Sequence, residues 1–252
     1  RANWAMREQM PRGTMTSIHS EVAVYDLDRT LTDTGSWAPF IRFWLAREAP
    51  WRVLLLPMVA LGGVAYGLGW LSRGQIKSWA HRWLIGPRVA EDRLRAVAAD
   101  FALGFVADHA LAPARAAIAA DAMAGRRVVI ASASHAFYVR SIAAHFGVAD
   151  VVATEAVRDG GDVTPALDGA NCYGAAKRAA LERWLAHEGL AGAVVHFTSD
   201  HHSDAPCFEL ALGTGGSVLC ANPSAKLAAL AAHRGWPVAL WGRIRGSLLE
   251  RA

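Results

Sequence analysis

The sequence predicts an α/β protein, a doubly wound and mostly parallel sheet with an inserted helical cap. Three observations predict it. Short apolar runs ended by polar residues recur at 22–25, 127–131, 150–154, 193–198 and 217–221, with helical stretches between most of them, the alternation that builds a parallel sheet covered by helices on both faces. The stretch between the first two runs, residues 33–107, is far too long for one crossover helix and reads as an insertion. Hydrophobic residues make up 53% of the 252 positions and charged residues 19%, enough for a sizeable core and too apolar for global disorder.

The first run stops at Asp26 and Asp28, spaced i, i+2, ahead of the loop Arg29-Thr30-Leu31-Thr32. Side chains two apart on an extended chain point the same way, so both acids are expected to converge off the end of a strand, where open α/β sheets bind ligands. Two carboxylates without a basic partner repel, and a bound cation relieves this; the plain alternative is an acidic turn.

Residues 37–46 form an apolar helix containing Arg42. Residues 53–72 carry no charge and are bracketed by Arg52 and Arg73. As one helix they would span roughly 30 Å, a bilayer core, but Pro57, Gly62, Gly63, Gly67 and Gly69 argue against a straight rod. Residues 76–85 and 90–109 read as amphipathic helices, and Ala-rich 114–124 as a helix stopped by Gly125.

Strand 127–131 ends at Ser132-Ala133-Ser134, helix 137–146 stops at Gly147, and 150–154 is a short strand. Residues 158–170 are turn-rich and read as a hairpin or loop. Helix 174–188 carries Lys177. Strand 193–198 ends at Ser199-Asp200-His201-His202-Ser203-Asp204, and a helix begins at Phe208. Strand 217–221 is closed by Asn222-Pro223, helix 227–234 follows, and 237–241 is an edge strand. The expected organisation is a core of 21–32 plus 108–242, a cap of 33–107, a disordered or extraneous segment 1–20 (Met15 is a candidate start), and a basic tail 243–252.

The net charge of +4 comes from scattered basic residues, mostly Arg, interleaved with Trp and Leu. That pattern favours anionic small molecules or an acidic membrane surface and excludes a nucleic-acid footprint. Cys172, Cys207 and Cys220 have no metal-type spacing and read as reduced thiols. Residues 1–20 hold no apolar signal region, which predicts a cytoplasmic protein.

Asp26/Asp28, Ser132, Lys177 and Asp200/Asp204 all fall at strand or helix ends that a parallel sheet opens on one edge. Acids from two strands make an all-oxygen site suited to Mg²⁺, which takes one or two carboxylates, waters and substrate phosphate. A hydroxyl, neighbouring N–H groups and an ammonium suit phosphoryl oxygens. Each residue alone has a bland reading, as a turn or a solvated face; their joint order carries the inference.

In that order, Asp26-Leu27-Asp28-Arg29-Thr30, Ser132 after a strand, Lys177 on a helix and Ser199-Asp200-x-x-x-Asp204 resemble the four motifs of the haloacid dehalogenase superfamily. The helical block directly after the first motif resembles its phosphoserine-phosphatase-like branch. Ala153-Thr154-Glu155, Asn171-Cys172-Tyr173-Gly174-x-x-Lys177, Asn222-Pro223 and Arg234-Gly235-Trp236-Pro237 are similar to a bacterial subgroup that includes phosphatidylglycerophosphatase-like hydrolases.

The resemblance implies an Mg²⁺-dependent phosphomonoesterase. Asp26 would be the nucleophile that becomes an aspartyl-phosphate. Asp28 would be the general acid and base. Metal ligands would be Asp26, the backbone carbonyl of Asp28, and Asp200, supported by Thr30 and Asp204. Ser132, Ala133 and Lys177 would hold the phosphoryl group. Arg29 and His201-His202-Ser203 depart from the usual pattern. No acidic residue replaces the one that holds a substrate amine in phosphoserine phosphatases; Gly35-Ser36-Trp37 occupy that region.

Asp26 precedes the uncharged stretch and Asp200 follows it, yet both belong to one site, so a single membrane crossing is excluded. If the segment enters lipid it is expected either to return, at Gly62-Gly63, or to lie in the interface. The preferred form is a shallow docking hairpin flanked by Arg47, Arg52 and Arg73, with Trp51, Trp70, Trp79 and Trp83 at headgroup level, and the alternative is a buried helix pair. Tail residues Arg243, Arg245 and Arg251 would add to docking at the inner face of the membrane. The expected substrate is a lipid-borne phosphate, with a soluble phosphorylated metabolite as the alternative and a non-catalytic phosphate binder as a different class. Arg42, Arg73, Lys77 and Arg82 are candidate headgroup contacts.

Overall fold

The computed structural model describes residues 20–242. The expectations for segment 1–19 and for the tail with Arg243, Arg245 and Arg251 lie outside the described residues. Strands are β1 (Glu21–Tyr25), β2 (Val89–Ala90), β3 (Arg127–His135), β4 (Asp150–Thr154), β5 (Ala156–Asp159), β6 (Asp162–Leu167), β7 (Val194–Ser199), β8 (Val218–Ala221) and β9 (Val238–Ala239). Helices are α1 (Trp37–Glu48), α2 (Leu56–Gly67), α3 (Arg73–Ala80), α4 (Glu91–His109), α5 (Ala112–Met123), α6 (Ala136–Ala144), α7 (Ala175–His187), α8 (Ala205–Gly213) and α9 (Ala225–Arg234).

The main sheet has six strands in the order β4-β3-β1-β7-β8-β9, and every pair in it is parallel. β1 lies inside, and its residues face two cores. Ala23 and Tyr25 join one apolar cluster with α4 and α6, while Val22 and Val24 join a second with α7 and α8. A strand covered on both faces reads as a continuous apolar run rather than an alternating one, which is why 22–25 was legible. The chain leaves β1 for β3 and β4 on one side and returns for β7 on the other, creating the switch point where such sheets open a crevice.

The inserted block shares its core with the sheet. Leu94, Val97, Ala98, Phe101 and Phe105 of α4 are buried at helical spacing. Phe101 meets Phe40 of α1 edge-on at 5.3 Å, and Phe40 stacks on Tyr138 of α6 at 4.6 Å, geometries that aromatic quadrupoles favour. The block expected at 33–107 ends inside α4, which runs on to His109. The turn-rich stretch forms the hairpin β5–β6, and β2 adds to it antiparallel as a small second sheet. The insertion is therefore not purely helical: two residues within it, Val89 and Ala90, just before α4, pair with the hairpin.

The uncharged stretch differs from expectation. Pro50 to Gly67 is one helical run, a 3₁₀ segment (Pro50–Leu55) leading directly into α2. Gly62 and Gly63 do not reverse the chain. A Cβ on Gly62 would meet the Trp79 ring at 2.5 Å, so glycine is needed there for close helix packing. The reversal comes at 68–72, where a capping box starts α3: Gln75 N–H donates to Ser72 Oγ at 3.2 Å, and Ser72 N–H donates to Gln75 Oε1 at 2.8 Å. The buried helix pair is equally overturned, since only 6% of Pro50–Gly67 is buried.

Candidate active site

Register brings the motif residues together. Tyr25 pairs with Ile130 on one side and Thr198 on the other. One and two residues further, Asp26, Ser132 and Asp200 stand at adjacent strand ends, and the Asp26 N–H extends the ladder by donating to the Thr198 carbonyl at 2.9 Å. Between Ser132 and His135 the β3–β4 register shifts, and such irregularities re-aim side chains beside sites.

Lys177 is the hub. Its Nζ donates at 2.8 Å to Asp26 Oδ1 and at 2.8 Å to Asp204 Oδ2, and all three side chains are buried. Burial alone would push the ammonium down, but the Asp204 and Asp26 carboxylates outweigh it and hold Lys177 well above the usual lysine range. Thr30 Oγ1 lies 3.2 Å from Asp26 Oδ2 and 3.4 Å from Asp200 Oδ1, and it accepts the Asp200 N–H at 2.9 Å. Burial pushes Asp26 up to about 8; Lys177 opposes this, and Asp204 and Asp200 add to it. Burial, then Asp204, raises Asp200 to about 6.

Asp28 has separate partners. Its carboxylate accepts the Ser36 N–H at 2.6 Å and the Ser134 Oγ–H at 2.7 Å. The expected unpartnered, converging pair of acids is thus corrected: β1 ends at Tyr25, and beyond it the period-2 rule no longer aims side chains. Ser36 and Ser134 were not identified from sequence as Asp28 partners; the i, i+2 spacing of Ser132 and Ser134 was the available signal. Ser132 Oγ accepts the Ser134 N–H at 3.1 Å, which leaves its own proton for another acceptor. Ser199, also missed, donates to Asp204 Oδ2 at 2.7 Å.

Two of the four cap cations reach the site. Lys77 Nζ donates to the Ala133 carbonyl and to Asn171 Oδ1 at 2.5 Å. Thr154 Oγ1 donates to the same Ala133 carbonyl at 2.8 Å. Lys77 therefore ties α3 to the C-terminal part of β3, and burial lowers it to about 8. Arg73 packs over the Tyr173 ring at 4.3 Å. Both border a cavity of about 520 Å³ walled by Trp37, Val59, Tyr66 and Ile76 and reaching Ala133 and Ser134. Arg42 and Arg82 are exposed and border other surface depressions, because α1 and the turn after α3 present them away from the strand ends.

Arg29 adopts φ 65° and is exposed, and it borders a surface depression that also reaches Asp200. His201 is the N-terminal cap of a short turn: its Nδ1 accepts the Ser203 N–H at 3.2 Å. Among the described residues no three acidic, His or Cys side chains form a metal-binding group.

The donor set nevertheless fits Mg²⁺, which needs only one or two protein carboxylates. Asp26 and Asp200 flank Thr30, and the buried Asp204 Oδ1 has no hydrogen-bond partner. Asp26 and Asp204 share one ammonium, while Asp200 stands nearby without an ion pair among the described residues, an excess of negative charge that a hard dication neutralises.

The haloacid dehalogenase-like hydrolase model matches residues 23–209. The chain belongs to this family. A probable phosphatase of Mycobacterium tuberculosis is 27% identical over 241 residues, covering 93% of this hydrolase and 80% of the relative. A Bordetella pertussis protein of unknown function has 25% identity and a TM-score of 0.75, covering 88% of this chain and 99% of that one. A probable phosphoserine phosphatase of Vibrio cholerae shares the fold, with 14% identity, a TM-score of 0.62, and 88% and 61% coverage.

Proposed function

We propose that this hydrolase is an Mg²⁺-dependent phosphatase that works through an aspartyl-phosphate on a lipid-borne phosphomonoester. One observation carries the catalytic reading: Asp26 is held by Lys177 and Thr30, whereas Asp28, two residues on, is held by Ser36 and Ser134. Separate environments suit two carboxyl groups to two roles.

In the first displacement an Asp26 carboxylate oxygen attacks phosphorus. The bond from phosphorus to the ester oxygen breaks, and the Asp28 carboxyl gives that oxygen its proton. In the second, Asp28 takes a proton from water, the water oxygen attacks phosphorus, and the bond to Asp26 breaks, which releases phosphate and restores both residues. Lys177, the Ser132 hydroxyl and the Ala133 N–H hold the phosphoryl oxygens. Asp26, Asp200 and the Asp28 carbonyl would hold Mg²⁺, which when bound would supply positive charge to offset the repulsion between a carboxylate and a phosphate dianion. Asp204 supports Lys177.

The substrate reading rests on the cavity beside Ser134, whose walls are apolar and whose polar corner holds Arg73 and Lys77. That combination suits an anionic headgroup joined to hydrocarbon, with phosphatidylglycerophosphate the substrate the subgroup resemblance suggests. A cytoplasmic enzyme at the inner face of the membrane would meet such a substrate. The test is a phosphate-release screen with Mg²⁺ over phosphatidylglycerophosphate, phosphatidate, phosphoserine and sugar phosphates. Lipid phosphates are expected to turn over fastest; a soluble metabolite preferred by kcat/KM overturns the lipid reading. Asp26→Asn should abolish release with the fold intact, and turnover retained by that variant overturns Asp26 as nucleophile.

A further inference from the structure

We infer that the outer face of the helical run Pro50–Gly67, with the turn that follows it, is a docking surface for an anionic bilayer and lies in the lipid interface. The inference deepens the lipid-phosphate reading and rests on it only for its purpose; the surface itself is argued from the residues. Of the fourteen large hydrophobic side chains exposed among the described residues, nine fall between Trp51 and Trp70. Leu54 is 80% exposed, Trp70 75%, Val64 60%, and Leu61 and Leu68 58% each. Continuous apolar exposure on this scale marks an interaction surface.

Charge selects the occupant. From residue 49 to residue 90 the chain has no Asp or Glu, while Arg52, Arg73 and Arg82 fall within it; Lys77 and Arg88 fall there too but are taken up by Ala133 and Asn171 and by Asp159 and Asp162. An acid-free basic border around an uncharged face complements anionic headgroups. A second copy of this chain is disfavoured by the same fact: in a self-complementary contact the patch meets itself, and Arg52, Arg73 and Arg82 would have no acid within it to pair with.

The packing sets the orientation. Arg52 Nη1 donates to the Trp83 carbonyl at 3.0 Å, and Trp79 Nε1 donates to the Met58 carbonyl at 2.7 Å. These contacts bind the run along its length to the α3 side of the cap, so it lies flat rather than crossing. They also correct the expected aromatic belt: Trp79 and Trp83 are partly buried and pack together at 5.9 Å, leaving Trp51 and Trp70 for the interface. The inner side of α2 supplies Val59 and Tyr66 to the cavity beside Ser134. A lipid held there would thus lie one helix away from the bilayer.

The experiment is co-sedimentation of the full chain with phosphatidylcholine vesicles made with and without phosphatidylglycerol. Binding to the anionic vesicles should be at least tenfold stronger than to the neutral ones and should weaken in high salt. The double variant Leu54→Glu/Leu61→Glu, which alters no cavity or catalytic residue, should lower it at least tenfold more while turning over para-nitrophenyl phosphate at the wild-type rate. Wild-type chain that stays in the supernatant with both vesicle types overturns the inference, as does binding that survives the double substitution. A lipid-free dimer that the variant dissociates would assign the face to self-association and overturn it too. The soluble substrate reports on the phosphatase reading separately, so failure of docking and failure of catalysis are distinguishable.

Discussion

Replacing Lys177 with Met tests the site through stability before any substrate is added. Lys177 is 2% exposed and forms ion pairs of 2.8 Å with Asp26 and Asp204. No other cation contacts either carboxylate among the described residues. Removing one partner from a buried ionic cluster costs about 3–5 kcal/mol, because the remaining charges stay desolvated and unpaired. At about 2–4 °C per kcal/mol for a chain of this size, the melting temperature should fall by roughly 6–20 °C. The deficit should be smaller at pH 6 than at pH 9. Asp26 is pushed up to about 8 with Lys177 opposing the shift; removing Lys177 raises it further, so the variant takes up the proton more readily as the pH falls and the repulsion disappears. Adding Asp26→Asn and Asp204→Asn to Lys177→Met should recover most of the loss, as both orphaned charges are gone. Differential scanning calorimetry in metal-free buffer reads the wild type and both variants. A Lys177→Met melting temperature within about 2 °C of wild type would refute the reasoning.

Lys77, lowered to about 8 by burial, loses its charge as pH rises through that value; kcat/KM should fall on the alkaline side, and Lys77→Arg, which keeps its charge, should move the limb upward. His81 is fully buried, neither ring nitrogen has a partner, and burial lowers it to about 4 from 6.5. The unfolded chain therefore binds a proton that the folded chain refuses between those values, so stability is lost as pH falls from 6.5 towards 4, by up to ~3 kcal/mol; His81→Leu should flatten that slope in urea titrations at pH 5 and pH 7. Asp28→Asn should slow alkyl phosphate turnover by about 10²–10⁴-fold and para-nitrophenyl phosphate turnover much less, because a good leaving group needs little protonation. Chelation with EDTA should reduce turnover to background, and added Mg²⁺ should restore it.

How much was legible depended on whether the signal was local. The strand ends were readable because a parallel strand covered on both faces is an uninterrupted apolar run, and polar residues must follow where it leaves the sheet. Asp26, Ser132 and Asp200 were located that way, and Lys177 by its helix. The partners of Asp28 were not readable: Ser134 lies 106 positions away and reaches it only through the register of β1 and β3 and the shift after Ser132. The same holds for Lys77, which the sequence marks as a candidate headgroup cation but whose partners Ala133 and Asn171 lie in distant segments.

The uncharged stretch separates the two kinds of information most clearly. By itself, the sequence determined that 53–72 carries no charge, that Arg52 and Arg73 bracket it, and that it cannot cross a membrane once if Asp26 and Asp200 share a site. Only the tertiary structure decided where the chain turns and which side is bare. Gly62 looked like a break and is a contact, because helix packing against Trp79 acts between residues whose separation along the chain carries no periodic signal. The turn falls instead at Ser72, where two reciprocal hydrogen bonds fix the start of α3. With only one buried residue in α2, most of its large apolar side chains, Leu56, Leu61 and Val64 among them, are left exposed, a property of what packs beside the helix rather than of the residues in it.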